Sequence, residues 1–413
     1  MPRTVPQAPI WSVPEPSQVE LTLDCKLITP MFGGGYEPRE VDPIAPIRAA
    51  AIRGHLRFWW RATAGAQYRT SEELFEAESA LWGSAAREEN GRQIGGPGRV
   101  QLRVRVTSKG ETKAHGDLAP RSDPRNGPRH GVFLFPFQEQ KGGNAVPEAS
   151  GCVNAEWELK VRCAETDLSQ VRTALKAWIA FGGVGSRTRR GCGAFTVKSA
   201  RDEWLAPAGR DPLQAWLRAL TTGGERPAPQ HLVLAGARLV IGQSDRDATR
   251  VWSDLGRFWC AVRKGHVGSK EYTPMGGARW RDYRGALAAY ATKPGTSVSL
   301  AKPFLGLPII YQQFLGGHKP ARYAPTIESE DTGRMASPVI LKPLALADGR
   351  FAPLVLILNA RQPARIRIAG DVVDLEVPRG DPVLRDLGAA DPLEAVLKAA
   401  EKQFRAIGIR VGG

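Results

Sequence analysis

The sequence predicts an α+β protein made of two tandem β-α-β-β-α-β units with loop insertions. Several segments alternate apolar and polar residues as half-buried strands do, and other segments repeat apolar residues at helical spacing. In addition, the stretches LRFWWRATAG (56–65) and GRFWCAVRKG (256–265) share Arg, Phe, Trp and Gly at corresponding positions. Such a recurrence is expected if one fold occurs twice in the chain.

The first half contains one copy of this order of elements. Thr70 and Glu73 have capping-box spacing at the start of its second helix, and Asp167 and Gln170 resemble a capping box at the start of its last helix. If one middle strand belongs to the insertions, the remainder follows the ferredoxin-like pattern, which RNA-recognition modules share. The expected elements are strand 19–28, helix 46–65, helix 71–84, strands 99–106, 130–137 and 155–163, helix 167–181 and strand 194–200, with polar insertions at 107–129 and 139–150.

The second half is expected to begin near residue 210 and to contain a more divergent copy. Its expected elements are strand 231–241, helices 246–265 and 278–293, strands 353–360, 364–370 and 371–377, and helix 391–408. The domain prediction is therefore a flexible arm at 1–18, a first domain at 19–205 and a second at 210–413.

The charge of the chain points to an anionic partner. Its 413 residues include 57 Lys and Arg against 42 Asp and Glu, which gives a net charge of +15. Nucleic acid is the first candidate, ahead of a membrane surface, because no long basic amphipathic helix and no apolar run of membrane-spanning length is present. The alternative is that the positive charge only keeps the protein soluble.

The cysteines indicate a reducing compartment. The five cysteines form no Cys-x-x-Cys pair, so neither a zinc knuckle nor a disulfide framework is expected. The proline-rich N-terminus lacks the apolar core of a signal peptide. A cytoplasmic location is therefore expected, with no metal and no cofactor.

The segment FGGVGSRTRRGCGAF (181–195) is the strongest candidate for a binding site. It lacks the Gly-Lys-Ser/Thr of a phosphate loop, and it runs from helix to strand, opposite to a dinucleotide fingerprint. Glycine amides can approach an anion closely, and forked guanidinium donors match phosphate oxygens. The candidate residues for RNA binding are Gly182, Gly183, Gly185, Arg187, Arg189 and Arg190. The alternative is a solvated basic turn whose glycines serve tight geometry.

A second candidate is the arginine stripe on the first helix. Arg53, Arg57 and Arg61 lie at i, i+4 and i+8, with Arg48 just before them. The stripe is either an RNA-binding face or a solvated helix face. Trp59 and Trp60 lie on the apolar side of the same helix and are expected in the core.

Motifs for catalysis are weak. The chain has no HExxH, no GxSxG and no close Cys/His pair, and no acidic cluster suggests a two-metal nuclease. His55, in the arginine-rich helix, is the best candidate for a general base. A lone helical histidine is usually incidental, so no catalytic residue is expected.

Three segments resemble the RAMP superfamily of CRISPR proteins. ITPMFGGG followed by IRGHLRFWWR, then LFEAESALWGS, and finally FGGVGSRTRRGCGAF are similar to that superfamily's opening strand, helices and glycine-rich loop. The combination is most similar to the first-subunit family of type III-B Cmr effector complexes. RMASPVILKP (334–343) resembles an Arg-x-x-Ser-Pro segment of that family's second domain, which adds Arg334 and Lys342 as RNA-binding candidates.

The resemblance implies two tandem ferredoxin-like domains and a function in antiviral defence. The chain would be a non-catalytic subunit that binds guide and target RNA near the 3′ end of the guide, beside the other Cmr subunits. Target cleavage would belong to the repeated backbone subunit. The alternative is a metal-independent endoribonuclease that processes precursor guide RNA, with His55 as its base.

Overall fold

The fold is described from a computed structural model. The structure describes residues 18–89, 92–119, 131–140, 145–221, 231–264, 280–310, 326–406 and 408–411. Apart from its last residue, the predicted N-terminal arm lies outside the described residues. Much of the first predicted insertion, at 120–129, does so too.

The first half contains nine strands and seven α-helices among the described residues. The strands are β1 (Gln18–Leu27), β2 (Met31–Phe32), β3 (Ser84–Glu89), β4 (Arg92–Gly96), β5 (Gln101–Ser108), β6 (Glu111–Ala114), β7 (Ser150–Val153), β8 (Glu156–Ala164) and β9 (Phe195–Val197). The helices are α1 (Ala49–Ala62), α2 (Ser71–Trp82), α3 (His115–Leu118), α4 (Gly131–Leu134), α5 (Leu168–Phe181), α6 (Arg201–Trp204) and α7 (Arg210–Ala219), with 3-10 turns at Ala64–Gln67, Phe135–Phe137, Glu165–Asp167 and Thr188–Arg190.

The second half contains nine further strands and four α-helices in the part of the chain that is described. The strands are β10 (Val233–Ile241), β11 (Ser297–Ser299), β12 (Ile309–Ile310), β13 (Thr326–Ser329), β14 (Val339–Ala345), β15 (Phe351–Asn359), β16 (Arg365–Ile368), β17 (Asp371–Glu376) and β18 (Ile409–Arg410). The helices are α8 (Ala248–Lys264), α9 (Ala288–Thr292), α10 (Pro382–Leu387) and α11 (Pro392–Phe404), with a π-helix at Asp282–Leu287 and a 3-10 turn at Lys302–Leu305.

Two four-stranded antiparallel sheets form the centre of the molecule. In the first the order is β5-β8-β1-β9, and in the second it is β14-β15-β10-β18. Counted along the chain, both sheets therefore have the order second, third, first, fourth. The alternating pattern of β1 explains its register, because Leu23 faces Leu159 of β8 and Cys25 faces Trp157 on the buried side.

The recurring Arg-Phe-Trp stretches lie on equivalent helices. The helix α1 follows the first strand of the first sheet, and α8 follows the first strand of the second. Trp59 and Trp259 are both buried. The predicted apolar stripe of α1 is confirmed, since Ile52, Leu56 and Trp60 are also buried.

The remaining strands form three further sheets, of which the largest, with five strands, was not predicted. Its order is β11-β17-β16-β13-β12, and only the β11–β17 pair is parallel. The strand predictions at 364–370 and 371–377 are confirmed, but these strands pair here rather than in a second four-stranded sheet. The other two sheets are β2-β7-β6 and the β3-β4 hairpin.

Three element predictions are wrong in detail. The stretch 130–137 is α4 and a 3-10 turn rather than a strand, because a short apolar run does not distinguish the two and Pro136 cannot donate to a ladder. The helix expected at 278–293 is a π-helix followed by α9. Asp167 does not cap α5 with its side chain, because its carboxylate bonds Arg99 and Gln170. The capping box of Thr70 and Glu73 is present.

The α+β class is confirmed, and the two halves share one core. Apolar residues of both central sheets belong to a single buried cluster, in which Leu23 and Trp178 of the first half join Leu239 and Leu356 of the second. A second cluster packs Phe32 and Phe133 of the first half with Trp252 of α8. The halves are thus joined by continuous apolar packing.

Candidate nucleic-acid interface

The arginine loop, defined as residues 182–193, connects α5 to β9 at the junction of the two halves. Its glycines fit against protein atoms. A Cβ on Gly182 would lie 2.5 Å from Nε1 of Trp59, and a Cβ on Gly193 would lie 1.8 Å from the carbonyl oxygen of Val184. A Cβ on Gly183 would lie 2.8 Å from the carbonyl oxygen of Gly193, and a Cβ on Gly185 would lie 2.5 Å from that of Phe32. The packing of the loop on its own protein therefore accounts for the glycines that the sequence assigned to RNA.

Two arginines of the loop bind the second half of the chain. Nη1 of Arg189 donates to the carbonyl oxygen of Ser337 at 2.8 Å. Nη1 of Arg190 donates to the carbonyl oxygen of Val339 at 2.6 Å, and its Nη2 donates to Oγ of Ser337 at 3.1 Å. The segment 334–343, which the sequence singled out for its resemblance, is thus the partner of the loop.

Aromatic rings of both repeats complete this contact. The guanidinium of Arg190 lies 4.3 Å from the ring centroid of Trp259, and that of Arg189 lies 5.3 Å from the ring of Phe58. Nε1 of Trp252 donates to the carbonyl oxygen of Arg190 at 2.8 Å. Stacking of guanidinium groups on aromatic faces is favourable, so the loop fastens α1 and α8 to one another.

Arg187 is the most exposed of the three arginines. Its Nε donates to the carbonyl oxygen of Phe133 at 2.8 Å, and its backbone has a left-handed φ of 54°. A guanidinium has five N–H donors, and this bond uses one of them. Arg189 and Arg190 are half-buried.

Positive charge is concentrated around the loop. Burial lowers the pKa of Arg190 to about 9, and the charges of Arg187 and Arg263 contribute to the same shift. Burial also lowers the pKa of Arg187 and of Arg189. In the part of the chain that is described, the bonds of these three loop side chains go to carbonyl and hydroxyl oxygens and not to carboxylates. An anion bound here would be stabilised by the charges of these three loop arginines.

Lys342 lies on β14 and is completely buried. Its Nζ donates to the carbonyl oxygens of Ile179 and Gly182 at 2.9 and 2.8 Å, at the end of α5. Burial lowers the pKa of Lys342 to about 7. Lys342 could contact RNA, as predicted, only if its side chain left these two carbonyl oxygens and became exposed. Arg334, the other candidate from this segment, is exposed.

The arginine stripe of α1 is largely engaged with α2. Arg57 and Arg61 both pair with the buried carboxylate of Glu78, the latter at 2.6 Å. Nη1 of Arg53 donates to the carbonyl oxygen of Trp82 at 3.0 Å. Arg48 is exposed before the first turn. The structure thus gives three of these four candidates protein partners.

His55 is half-buried on α1. Burial lowers the pKa of His55, which keeps the ring neutral near pH 7. Among the described residues, no hydrogen bond joins it to an acidic group.

No group of three or more His, Cys, Asp or Glu side chains that could hold a metal ion occurs in the described ranges. Within those ranges, no helix is both long enough and apolar enough to cross a membrane.

The sequence analysis did not identify Phe133, Ser337, Val339 or Trp252 as partners of the loop. Ser337 lies in the segment 334–343, in which the sequence analysis chose the charged residues Arg334 and Lys342 as candidates. Trp252 precedes the repeated Arg-Phe-Trp stretch by a few residues and carried no separate signal.

Part of the first half is similar to a known protein family. Residues 24–196, which contain α1, α2 and the arginine loop, match the RAMP superfamily model. These residues, here called the RAMP module, are similar to that superfamily. The predicted resemblance is confirmed for this segment, and the arginine loop lies near the end of the module. A comparison with curated proteins found no matching sequence.

Solved structures resemble the whole chain beyond the RAMP module. The apo crystal structure of Cmr1 from Pyrococcus furiosus matches 95% of this chain and 98% of its own, with 15% identity and a TM-score of 0.50. A chain of the type III-B Cmr-beta complex bound to cognate target RNA matches 94% of this chain and 100% of its own, with 10% identity and a TM-score of 0.43. The first of these establishes a shared fold over both halves.

Proposed function

We propose that this chain is a non-catalytic, RNA-binding subunit of a type III-B CRISPR effector complex. It would contact guide and target RNA near the 3′ end of the guide and would assemble with the other Cmr subunits. The RAMP module and the Cmr1-like fold over nearly the whole chain support this assignment. In this proposal each central sheet, with its second-third-first-fourth strand order, is one ferredoxin-like unit of a tandem pair.

The observation that carries the proposal is the cluster of arginines at the junction of the halves. Arg187, Arg189 and Arg190 retain N–H donors after their bonds to carbonyl and hydroxyl oxygens. Guanidinium groups without carboxylate partners suit phosphate oxygens. Contacts of this kind follow an RNA backbone and carry no sequence code.

Binding to unrelated single-stranded RNAs tests the proposal. We expect the full-length protein to bind two unstructured RNAs of different sequence with similar affinity. The Arg187→Ala variant should weaken both about equally, whereas Arg218→Ala, which removes an exposed charge from α7, should weaken neither. Undetectable RNA binding, or equal effects of the two variants, would reject the arginine loop as the RNA site.

Association with the complex needs its own experiment. The chain should copurify with related Cmr subunits and with RNAs that share a common guide 3′ region when the native complex is isolated and its RNA is sequenced. Recovery of random cellular RNA would reject the proposed position.

The alternative function is a metal-independent endoribonuclease with His55 as the base. The neutral ring that burial favours is the one feature in its support. Incubation of precursor guide RNA with wild type and His55→Ala in EDTA separates the two functions. The proposal predicts no cleavage by either protein, and cleavage lost in His55→Ala would replace it with the nuclease.

A further inference from the structure

Two aromatic side chains near the arginine loop point into solvent. Tyr36 is 93% exposed and Phe135 is 63% exposed, and both are among the most exposed large apolar residues that the structure describes. Aromatic rings usually bury most of their surface in cores or interfaces. Two exposed rings beside a basic loop therefore suggest a bound partner.

One backbone contact and one side-chain contact hold the two aromatic segments against the loop. The amide of Ser186 donates to the carbonyl oxygen of Phe32 at 2.9 Å, four residues before Tyr36. Nε of Arg187 donates to the carbonyl oxygen of Phe133 at 2.8 Å, two residues before Phe135. Chain reach then limits the Cα of Tyr36 to about 14 Å from that of Phe32, and the Cα of Phe135 to about 7 Å from that of Phe133.

The two aromatic segments are also fastened to each other. Nη1 and Nη2 of Arg39 donate to the carbonyl oxygens of Pro136 and Gln138 at 3.2 and 2.7 Å. The rings of Phe32 and Phe137 stack at 4.1 Å with an interplanar angle of 5°. The segments that carry Tyr36 and Phe135 are therefore braced against each other and are not two independent loops.

We propose that Tyr36 and Phe135 form a base-stacking platform for single-stranded RNA whose phosphate is bound by Arg187. This inference rests on the proposed RNA-binding function and adds the groups that would contact the bases. Stacking on exposed aromatic rings tolerates any base, as expected for a subunit that binds guides of variable sequence. Arg187, which is exposed and has no carboxylate partner among the described residues, favours RNA over an apolar protein partner.

The experiment measures binding of an unstructured single-stranded RNA to the full chain at several salt concentrations. Tyr36→Ala and Phe135→Ala should each reduce affinity about fivefold or more and leave the salt slope unchanged, because stacking releases no counterions. Tyr36→Trp should retain the affinity. Arg187→Ala should instead reduce the slope by about 0.7. Both rings are exposed, so the variants at Tyr36 and Phe135 should melt at the wild-type temperature.

The outcomes distinguish the platform from the function on which it rests. If Arg187→Ala alters the salt slope while Tyr36→Ala and Phe135→Ala bind RNA as tightly as wild type, the platform is wrong and the RNA-binding function stands. Alanine variants that bind RNA normally but no longer assemble with the other subunits would assign the two rings to a protein partner, which also overturns the platform. If wild type binds no RNA, both proposals fail.

Discussion

Nζ of Lys342 lies 2.8 Å from the carbonyl oxygen of Gly182, although the two residues belong to different halves of the chain. The lysine is wholly buried in β14, and Gly182 is the first residue of the arginine loop. The same Nζ also bonds the carbonyl oxygen of Ile179. One buried ammonium group thus fixes the end of α5, from which the loop departs.

Two replacements of Lys342 should lower the free energy of unfolding by different amounts. Lys342→Met keeps most of the volume but leaves two buried carbonyl groups without this donor, so the free energy of unfolding should fall by about 1–3 kcal/mol. Lys342→Ala adds a cavity and should cost about 2–5 kcal/mol. Urea denaturation followed by tryptophan fluorescence measures both values. Equal stability of all three proteins would show that the buried bonds do not contribute.

The stability contributed by Lys342 should depend on pH. Its pKa falls from an ordinary value of 10.5 to about 7 on folding, so between these values the unfolded chain binds more protons at this site. The free energy of unfolding therefore rises with pH from about 7 upwards, by at most about 1.4 kcal/mol per pH unit from this group.

The matched control for this pH dependence is Lys342→Met. Denaturation of both proteins between pH 7 and 9 should show a difference in stability that moves in favour of wild type as pH rises. A difference that is constant over this range would mean that Lys342 does not titrate there.

Glu78 should matter more for stability than an ordinary surface carboxylate. It is buried and receives both Arg57 and Arg61, so Glu78→Gln should lower the free energy of unfolding by about 2 kcal/mol. Glu158 pairs with the exposed Arg105, and Glu158→Gln should change stability by less than about 1 kcal/mol. Thermal denaturation of the two variants makes the comparison, and similar losses would contradict the assigned role of Glu78.

Arg190 should not be replaceable by lysine. Its guanidinium bonds Val339 and Ser337 and lies over the ring of Trp259, and an ammonium cannot reproduce this fork and stack. We expect Arg190→Lys to lower the free energy of unfolding by about 1–3 kcal/mol. Arg187→Lys, at the exposed position, should be close to wild type in the same measurement. If Arg190→Lys is as stable as wild type, the bonds of Arg190 do not stabilise the junction of the two halves.

Local sequence patterns predicted the main strands and helices of the two central sheets but not the partners of the loop. Alternation in β1 and β8 and the apolar stripe of α1 depend on neighbouring residues, and the structure confirms them. The bond from Arg190 to Val339 joins positions 149 residues apart, and no local pattern encodes it. Glycine and arginine in one loop are equally consistent with phosphate binding and with tight packing on a neighbouring domain.

The arginine stripe illustrates the same difficulty. Helical spacing correctly placed Arg57 and Arg61 on one face of α1, but Glu78 lies on another helix. Whether a basic stripe meets RNA or a buried carboxylate depends on how α2 packs. That packing is set by apolar contacts elsewhere in the core.

The most direct test of the central claim is the salt dependence of RNA binding by Arg187→Ala. The logarithm of the association constant for an unstructured single-stranded RNA is measured against the logarithm of the salt concentration for wild type, Arg187→Ala and the control Arg218→Ala. If Arg187 neutralises one phosphate, the slope for Arg187→Ala should be smaller by about 0.7 while the control retains the wild-type slope. Identical slopes for all three proteins would contradict an RNA backbone at the arginine loop.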